Sequence, residues 1–101
     1  MKEEMNEAAQ VELGGGFSLQ AEWLSPGGYD LGRIVKWHIF GPCVRCDRGE
    51  SIGTIPIEAD SGPVWEVRNW SPLTLDPSIR VSAPDHECYH GFVREGKWVP
   101  A

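Results

Sequence analysis

Two short pairs of metal-binding side chains constrain this chain more than any other feature of its sequence. Cys43 and Cys46 are separated by two residues, and Cys88 and His90 by a single tyrosine. Structural zinc sites take four tetrahedral ligands, usually thiolates and imidazoles, and often draw them from two such pairs. A C-x-x-C turn can direct both sulfurs at one point, and alternate residues of a strand share a face. We therefore predict one structural zinc ion bound by Cys43, Cys46, Cys88 and His90.

The identity of the fourth ligand is open in the sequence. His86 precedes the third cysteine by two residues and His38 precedes the first by five, so either can replace His90. His90 is favoured because the glycine that follows it, Gly91, leaves room for a close approach to the metal. His38 is disfavoured, since a lone histidine on a strand is more often packed or solvated than bound to a metal.

The cysteines also have interpretations that need no metal. A C-x-x-C pair can be a thiol redox motif, but such a motif usually begins a helix, and the Asp-Arg-Gly that follows Cys46 disfavours a helix. All three cysteines can also be inert core residues. A shared zinc site is preferred because it accounts for every cysteine in the chain.

Length and charge restrict the classes of partner. The 101 residues are enough for one packed domain, since 41% of them are hydrophobic and five are tryptophan. Nine basic and fifteen acidic residues give a net charge of -6, which disfavours nucleic acids and anionic membranes as partners. The N-terminus lacks the apolar core of a signal peptide, and no stretch reaches the ~18 apolar residues of a membrane span. Together with the odd number of cysteines, these features predict a cytoplasmic protein.

Alternating apolar and polar residues predict a mainly β protein. Strands are expected at residues 17–24, 33–40, 51–58 and 64–70, and a hairpin at residues 91–100. Residues 71–84 contain three prolines and are expected to cross the domain with little regular pairing. The predicted architecture is a small single-domain antiparallel sheet with zinc knuckles.

The N-terminal segment differs in composition from the rest. Residues 1–13 have the composition of a helix and are expected to form one short N-terminal helix or a tail, and the glycines at 14–16 to form a hinge. The predicted organisation is therefore a terminal segment of residues 1–16 followed by a β-rich zinc-binding domain of residues 17–101.

Three segments of the second half together resemble a small domain family of unknown function that occurs in bacteriophages and bacteria. The segments are Cys43-Val-Arg-Cys46, Trp70-Ser-Pro-Leu-Thr-Leu-Asp-Pro-Ser-Ile79 and Cys88-Tyr-His90-Gly-Phe-Val-Arg-Glu-Gly96. The resemblance covers roughly residues 37–99. Leu73 departs from the threonine that phage members often have, and Cys88 is one residue further from its histidine than in members with adjacent Cys-His. Phage members are sometimes labelled ammonia monooxygenases, which nothing in these residues supports.

The resemblance also implies a possible peptidase. Some bacterial relatives are encoded beside ubiquitin-like conjugation genes, and a peptidase role has been suggested for that branch. Here Ser78 would be the nucleophile, His90 or His86 the base, and Asp76 or Asp85 the group that orients the base. The alternative for Ser78 is a turn or capping serine. Because a histidine bound to zinc cannot act as a base, the zinc and peptidase hypotheses compete for His90.

The sequence favours a phage-encoded, non-enzymatic accessory or protein-interaction domain with a structural zinc site. Its expected partner is a host or phage protein, and its expected place is the host cytoplasm, with virion association as a variant. The alternative function is a small hydrolase or peptidase that acts on ubiquitin-like or other protein tails with Ser78 as its nucleophile. The oligomeric state is not fixed by the sequence.

Overall fold

Nine β-strands and no helix occur in the computed structural model, which describes residues 10–24, 33–59 and 61–101. In chain order, the strands are β1 (Gln10–Gly14), β2 (Phe17–Leu24), β3 (Arg33–Pro42), β4 (Glu50–Pro56), β5 (Glu66–Trp70), β6 (Leu73–Asp76), β7 (Ile79–Ala83), β8 (His86–Arg94) and β9 (Lys97–Pro100). They form three antiparallel sheets, ordered β1-β2-β3-β4, β5-β6 and β7-β8-β9. The predicted all-β, antiparallel class is confirmed, although the pairing is divided among three sheets and not collected in one.

A β-hairpin replaces the helix predicted at residues 10–13. Strand β1 pairs with β2 through a tight turn at Gly15 and Gly16, whose φ angles of +65° and +88° are readily accessible to glycine. Val11 and Leu13 alternate with exposed neighbours, and Leu13 is buried in the core. Burial of alternate residues therefore outweighs the helical composition. The rest of the predicted helix, residues 1–9, lies outside the described residues, and the boundary at residue 16 stays a prediction.

The proline-rich segment is more regular than predicted. Residues 71–84 contain strands β6 and β7, and the three prolines fall between strands. Pro72 lies in the β5–β6 turn, Pro77 between β6 and β7, and Pro84 in the β7–β8 turn; the peptide bonds before Pro72 and Pro77 are cis. A proline between strands removes no hydrogen bond from the ladder, so the prolines were a poor guide to the amount of pairing.

The core is formed by residues of all three sheets. The largest fully buried side chains come from the four-stranded and the three-stranded sheet, and burial of each is worth about 1.5–3 kcal/mol. They are Trp37, Leu19, Ile39, Ile55, Ile79 and Val93. Tyr89 of β8 connects the sheets, because its hydroxyl donates a hydrogen bond of 2.7 Å to the carbonyl of Ser51 on β4. The first half of β8 is therefore held beside the connection between β3 and β4.

Gly53 on β4 marks a close approach of the two sheets. A Cβ atom at this position would lie 2.6 Å from Cγ2 of Val81 on β7 and 3.3 Å from Cγ2 of Ile39. Gly53→Ala is expected to lower the free energy of unfolding by about 1–3 kcal/mol, because packed neighbours must move apart. Denaturant unfolding measures this. Thr54→Ala, at the exposed neighbouring position, is the control and is expected to change stability by no more than about 0.5 kcal/mol. Equal stability of Gly53→Ala and the wild type would contradict the packing.

Candidate metal centre and serine–histidine pair

The connection between β3 and β4 folds into a knuckle that carries two cysteines. Its ends are tied together by a hydrogen bond from the Cys43 N–H to the Gly49 carbonyl, 2.9 Å long. Within it, the Cys46 N–H donates to the Cys43 carbonyl at 3.1 Å, and the Gly49 N–H donates to the Cys46 carbonyl at 2.9 Å. Gly49 adopts a φ of +72°, which closes the turn. These bonds direct both thiols to the same side of the loop.

A β-bulge at the start of β8 carries the third cysteine. Tyr89 pairs with Val81 of β7, but Glu87 pairs with Ser82, so Cys88 faces no single partner residue. A bulge of this kind interrupts the two-residue alternation of a strand and redirects a side chain. It brings the Cys88 thiol to the knuckle, with its Sγ atom 3.7 Å from that of Cys46.

His86 completes a group of four ligand atoms. Its Nε2 atom lies 3.3 Å from Sγ of Cys43 and 3.6 Å from Sγ of both Cys46 and Cys88. All four ligand atoms lie within 4.8 Å of one another, and the cysteines are not joined by disulfides. Tetrahedral zinc, with bonds of about 2.3 Å to sulfur and 2.0–2.1 Å to nitrogen, has ligand–ligand edges of about 3.5–3.8 Å. The three separations of 3.6–3.7 Å match these edges and the 3.3 Å separation from Cys43 is slightly shorter, so the cluster is compatible with a zinc site.

Asp85 orients the histidine of this cluster. The carboxylate Oδ1 of Asp85 lies 2.7 Å from Nδ1 of His86, whose side chain is 5% exposed, whereas that of Asp85 is 78% exposed. With the Nδ1–H donating to the carboxylate, the Nε2 lone pair faces the three sulfurs, as in the carboxylate–histidine pairs of metal sites. The hydrogen bond from His86 lowers the pKa of Asp85. Asp85 was a sequence candidate for orienting a catalytic base, and it instead contacts the histidine that lies beside the three cysteines.

The thiols of the cluster perturb one another. Burial opposes ionisation of Cys43, but hydrogen bonds from the Arg45 backbone and from the Cys46 and Cys88 thiols outweigh it and lower the pKa of Cys43. The pKa of Cys46 is raised to about 11, first by its hydrogen bond to Cys43 and then by burial. One thiolate is therefore stabilised by its neighbours, and thiolate is the form in which cysteine binds metals.

His90 does not join the cysteines. Its Nε2 atom lies 3.1 Å from Oγ of Ser78, and both side chains are half-buried. The structure thus brings together the three cysteines of the predicted ligand set, but it places His86 and not His90 beside them. The physical reason is the bulge at Cys88, because the pairing of Cys88 with His90 assumed an unbroken alternation along β8.

Ser78 lies in the short link between β6 and β7. It follows Pro77, whose peptide bond to Asp76 is cis. The indole N–H of Trp65 donates to the Ser78 carbonyl at 3.1 Å and so fixes the backbone of this link. Neither Asp76 nor Asp85 contacts His90 in the described part of the chain. Of the residues that the sequence suggested as a catalytic group, the structure therefore brings Ser78 and His90 together without the expected aspartate.

The remaining histidine, His38, belongs to neither group. His38 of β3 bonds through Nε2 to the Glu22 carboxylate on β2 at 2.8 Å. This contact lowers the pKa of Glu22. His38 thus forms a cross-strand pair, in line with its low rank as a ligand.

Comparison with known proteins identifies a family. The model of the family described as "Bacterial ubiquitination-like system serine protease (BubE)" matches residues 21–101. This range contains the knuckle, the Ser78 link and strands β3 to β9. No curated protein and no solved structure matches the chain. A small domain family was predicted from the same motifs, while the phage origin attached to it stays a prediction. No helix in the described residues is long and apolar enough to cross a membrane.

Proposed function

The chain belongs to the family of the bacterial ubiquitination-like system serine protease (BubE), and we propose that it is a serine peptidase with Ser78 as nucleophile and His90 as general base. One observation carries the assignment. The Oγ atom of Ser78 lies 3.1 Å from Nε2 of His90, which is within the reach that proton transfer between a nucleophile and its base requires.

The pair supports a two-step hydrolysis of a peptide bond. His90 Nε2 accepts the hydroxyl proton while Ser78 Oγ attacks the scissile carbonyl carbon, and the protonated His90 then gives that proton to the leaving amine. The products of this step are an acyl ester on Ser78 and a free amine. His90 next takes a proton from water, whose oxygen attacks the ester, and returns it to Ser78 as the new carboxyl group leaves.

The surroundings of Ser78 favour a nucleophile on a rigid support. The link that carries it is only two residues long and is anchored by strands at both ends. Trp65 holds its carbonyl by a hydrogen bond, and His90 comes from the middle of a nine-residue strand. Catalytic groups must be held to within a fraction of an ångström, and groups on or beside strands meet this demand better than groups on long loops.

The metal centre is proposed to be a structural zinc site formed by Cys43, Cys46, His86 and Cys88. Three thiolates and one imidazole suit zinc, and four protein ligands leave no open position for water or substrate. The ion would attach the knuckle to the first residues of β8, the strand that also carries His90. Since His86 and not His90 lies in the cluster, the zinc and peptidase hypotheses no longer compete for one residue.

The substrate is proposed to be a protein tail within a ubiquitination-like system, following the description of the family. The non-enzymatic, phage-encoded interaction domain with a host or phage partner stays a prediction, as does the cytoplasmic location. Ser78→Ala separates the two functions. An interaction domain would still bind its partner fully in this variant, whereas a peptidase would lose hydrolysis.

A fluorophosphonate probe tests the nucleophile. Such probes form a covalent bond with a serine whose hydroxyl is activated by a base. We expect intact-mass analysis to show one adduct per chain, located on Ser78 by peptide mapping and absent in His90→Ala. Ser82→Ala, which alters an exposed serine on β7, should label like the wild type. Labelling of Ser82 or of no serine would contradict the proposal.

A further inference from the structure

The serine–histidine pair lies on one face of the β7-β8-β9 sheet, and that face continues past it. Ile79, Val81 and Val93 are buried in the core. Because alternate residues of a strand point to opposite faces, Arg80 of β7 lies on the outward face, and so does its cross-strand partner His90. The residues after His90 on β8 that share this outward face are Phe92 and Arg94.

Two cations lie on this outward face beside the turn between β8 and β9. Arg94 of β8 and Lys97 of β9 are direct cross-strand partners, and both are exposed. Like charges directly opposite each other destabilise a β-ladder, and neither side chain has an ion-pair partner among the described residues. Arg80, by contrast, is neutralised by Glu87, with Nε 3.1 Å from Oε1. The uncompensated pair stands out in a chain with a net charge of -6.

The guanidinium of Arg94 packs on the ring of Phe92, which lies between Arg94 and His90 on this face. Its Cζ atom lies 4.0 Å from the centroid of the Phe92 ring, a cation–π contact that restricts the side chain. Phe92 is two residues from His90, a spacing of about 7 Å along a strand. From this spacing we expect the positive charge to lie about two residues' length from the base. The edge of the guanidinium can then form a bidentate hydrogen bond to a carboxylate.

We propose that Arg94, supported by Lys97, binds an acidic side chain of the peptide substrate about two residues from the scissile bond. The proposal rests on the proposed peptidase function and deepens it by giving the class of substrate. The two cations complement the acid, while the negative charge of the chain as a whole disfavours binding of the same acid elsewhere.

Fluorogenic octapeptides of alanine and glycine provide the test, each with a single Glu or Gln at one of its positions in turn. We expect the wild type to prefer Glu over Gln about fivefold in kcat/KM at one or two neighbouring positions, mainly through KM, as for an exposed ion pair. Arg94→Gln should abolish the preference without slowing fluorophosphonate labelling of Ser78. Arg68→Gln, which removes the same charge from exposed β5, should retain it.

Equal cleavage of the Glu and Gln peptides by the wild type, or an equal loss in Arg68→Gln, would overturn the proposal. A second measurement keeps it independent of turnover. Ser78→Ala should bind the uncleaved Glu peptide more tightly than the Gln peptide by fluorescence anisotropy, and Ser78→Ala with Arg94→Gln should not. If Ser78 is not labelled, the peptidase function fails, while the anisotropy preference still decides the acid-binding surface. Equal anisotropy affinities for the two peptides would refute that surface even if cleavage is observed.

Discussion

Ser78→Ala is expected to lower kcat/KM for peptide hydrolysis at least about a thousandfold, since it removes the atom that attacks the substrate. His90→Ala should lower it by a similar factor, and the double variant should be little worse than either single one, because the two residues act as a unit. The measurement is a steady-state assay on a fluorogenic peptide. Melting temperatures recorded in parallel show that the fold is intact.

The control for this series is Ser82→Ala on the exposed face of β7. It removes a hydroxyl from the same strand region without touching His90, so its kcat/KM should equal that of the wild type. Full activity of Ser78→Ala would show that another group attacks the substrate, and additive losses in the double variant would show that Ser78 and His90 do not act as a unit.

Cys88→Ser is expected to release the metal and to unfold most of the domain. Apparent zinc-binding free energies in small motifs are about 10–16 kcal/mol, as large as the 5–15 kcal/mol by which a whole domain is stable. Loss of the metal weakens the contact between the knuckle and β8. This contact is held by the ligand group and by the hydrogen bond of Tyr89 to Ser51. Circular dichroism melting and elemental analysis measure the two effects.

Asp47→Ser is the matched control, because it changes an exposed side chain of the same knuckle that is not in the ligand group. It should retain the metal and the melting temperature of the wild type. Chelation of wild-type protein should reproduce the Cys88→Ser result and also suppress hydrolysis, since β8 carries His90 as well as two of the ligands. An unchanged melting temperature of Cys88→Ser with the metal still bound would contradict a structural role.

The sequence predicted the strands because their alternation survives in the fold. Residues 17–24 form β2 as expected, with Leu19 fully buried, and the predicted hairpin at residues 91–100 corresponds to the second half of β8 with β9. Spacing alone also selected the three cysteines that the structure brings together. These features depend on local periodicity and on short loops, both of which can be read from one chain.

The features that sequence reasoning missed depend on tertiary pairing. The bulge at Cys88 arises from the register between β7 and β8 and leaves no local signature, so His90 was preferred over His86. The Asp85 that precedes His86 was the one available signal, since a carboxylate often supports a metal-bound histidine. At the N-terminus, composition favoured a helix, whereas burial of Leu13 against the core favours a strand.

The central claim is that His86 completes the metal centre and so leaves His90 free to serve Ser78. The most direct test is the zinc content of His86→Ala and His90→Ala, measured by elemental analysis on protein purified without a metal-affinity tag. We predict one zinc per chain in His90→Ala and substoichiometric zinc in His86→Ala. One zinc per chain in His86→Ala together with loss of zinc in His90→Ala would contradict the account and return His90 to the metal.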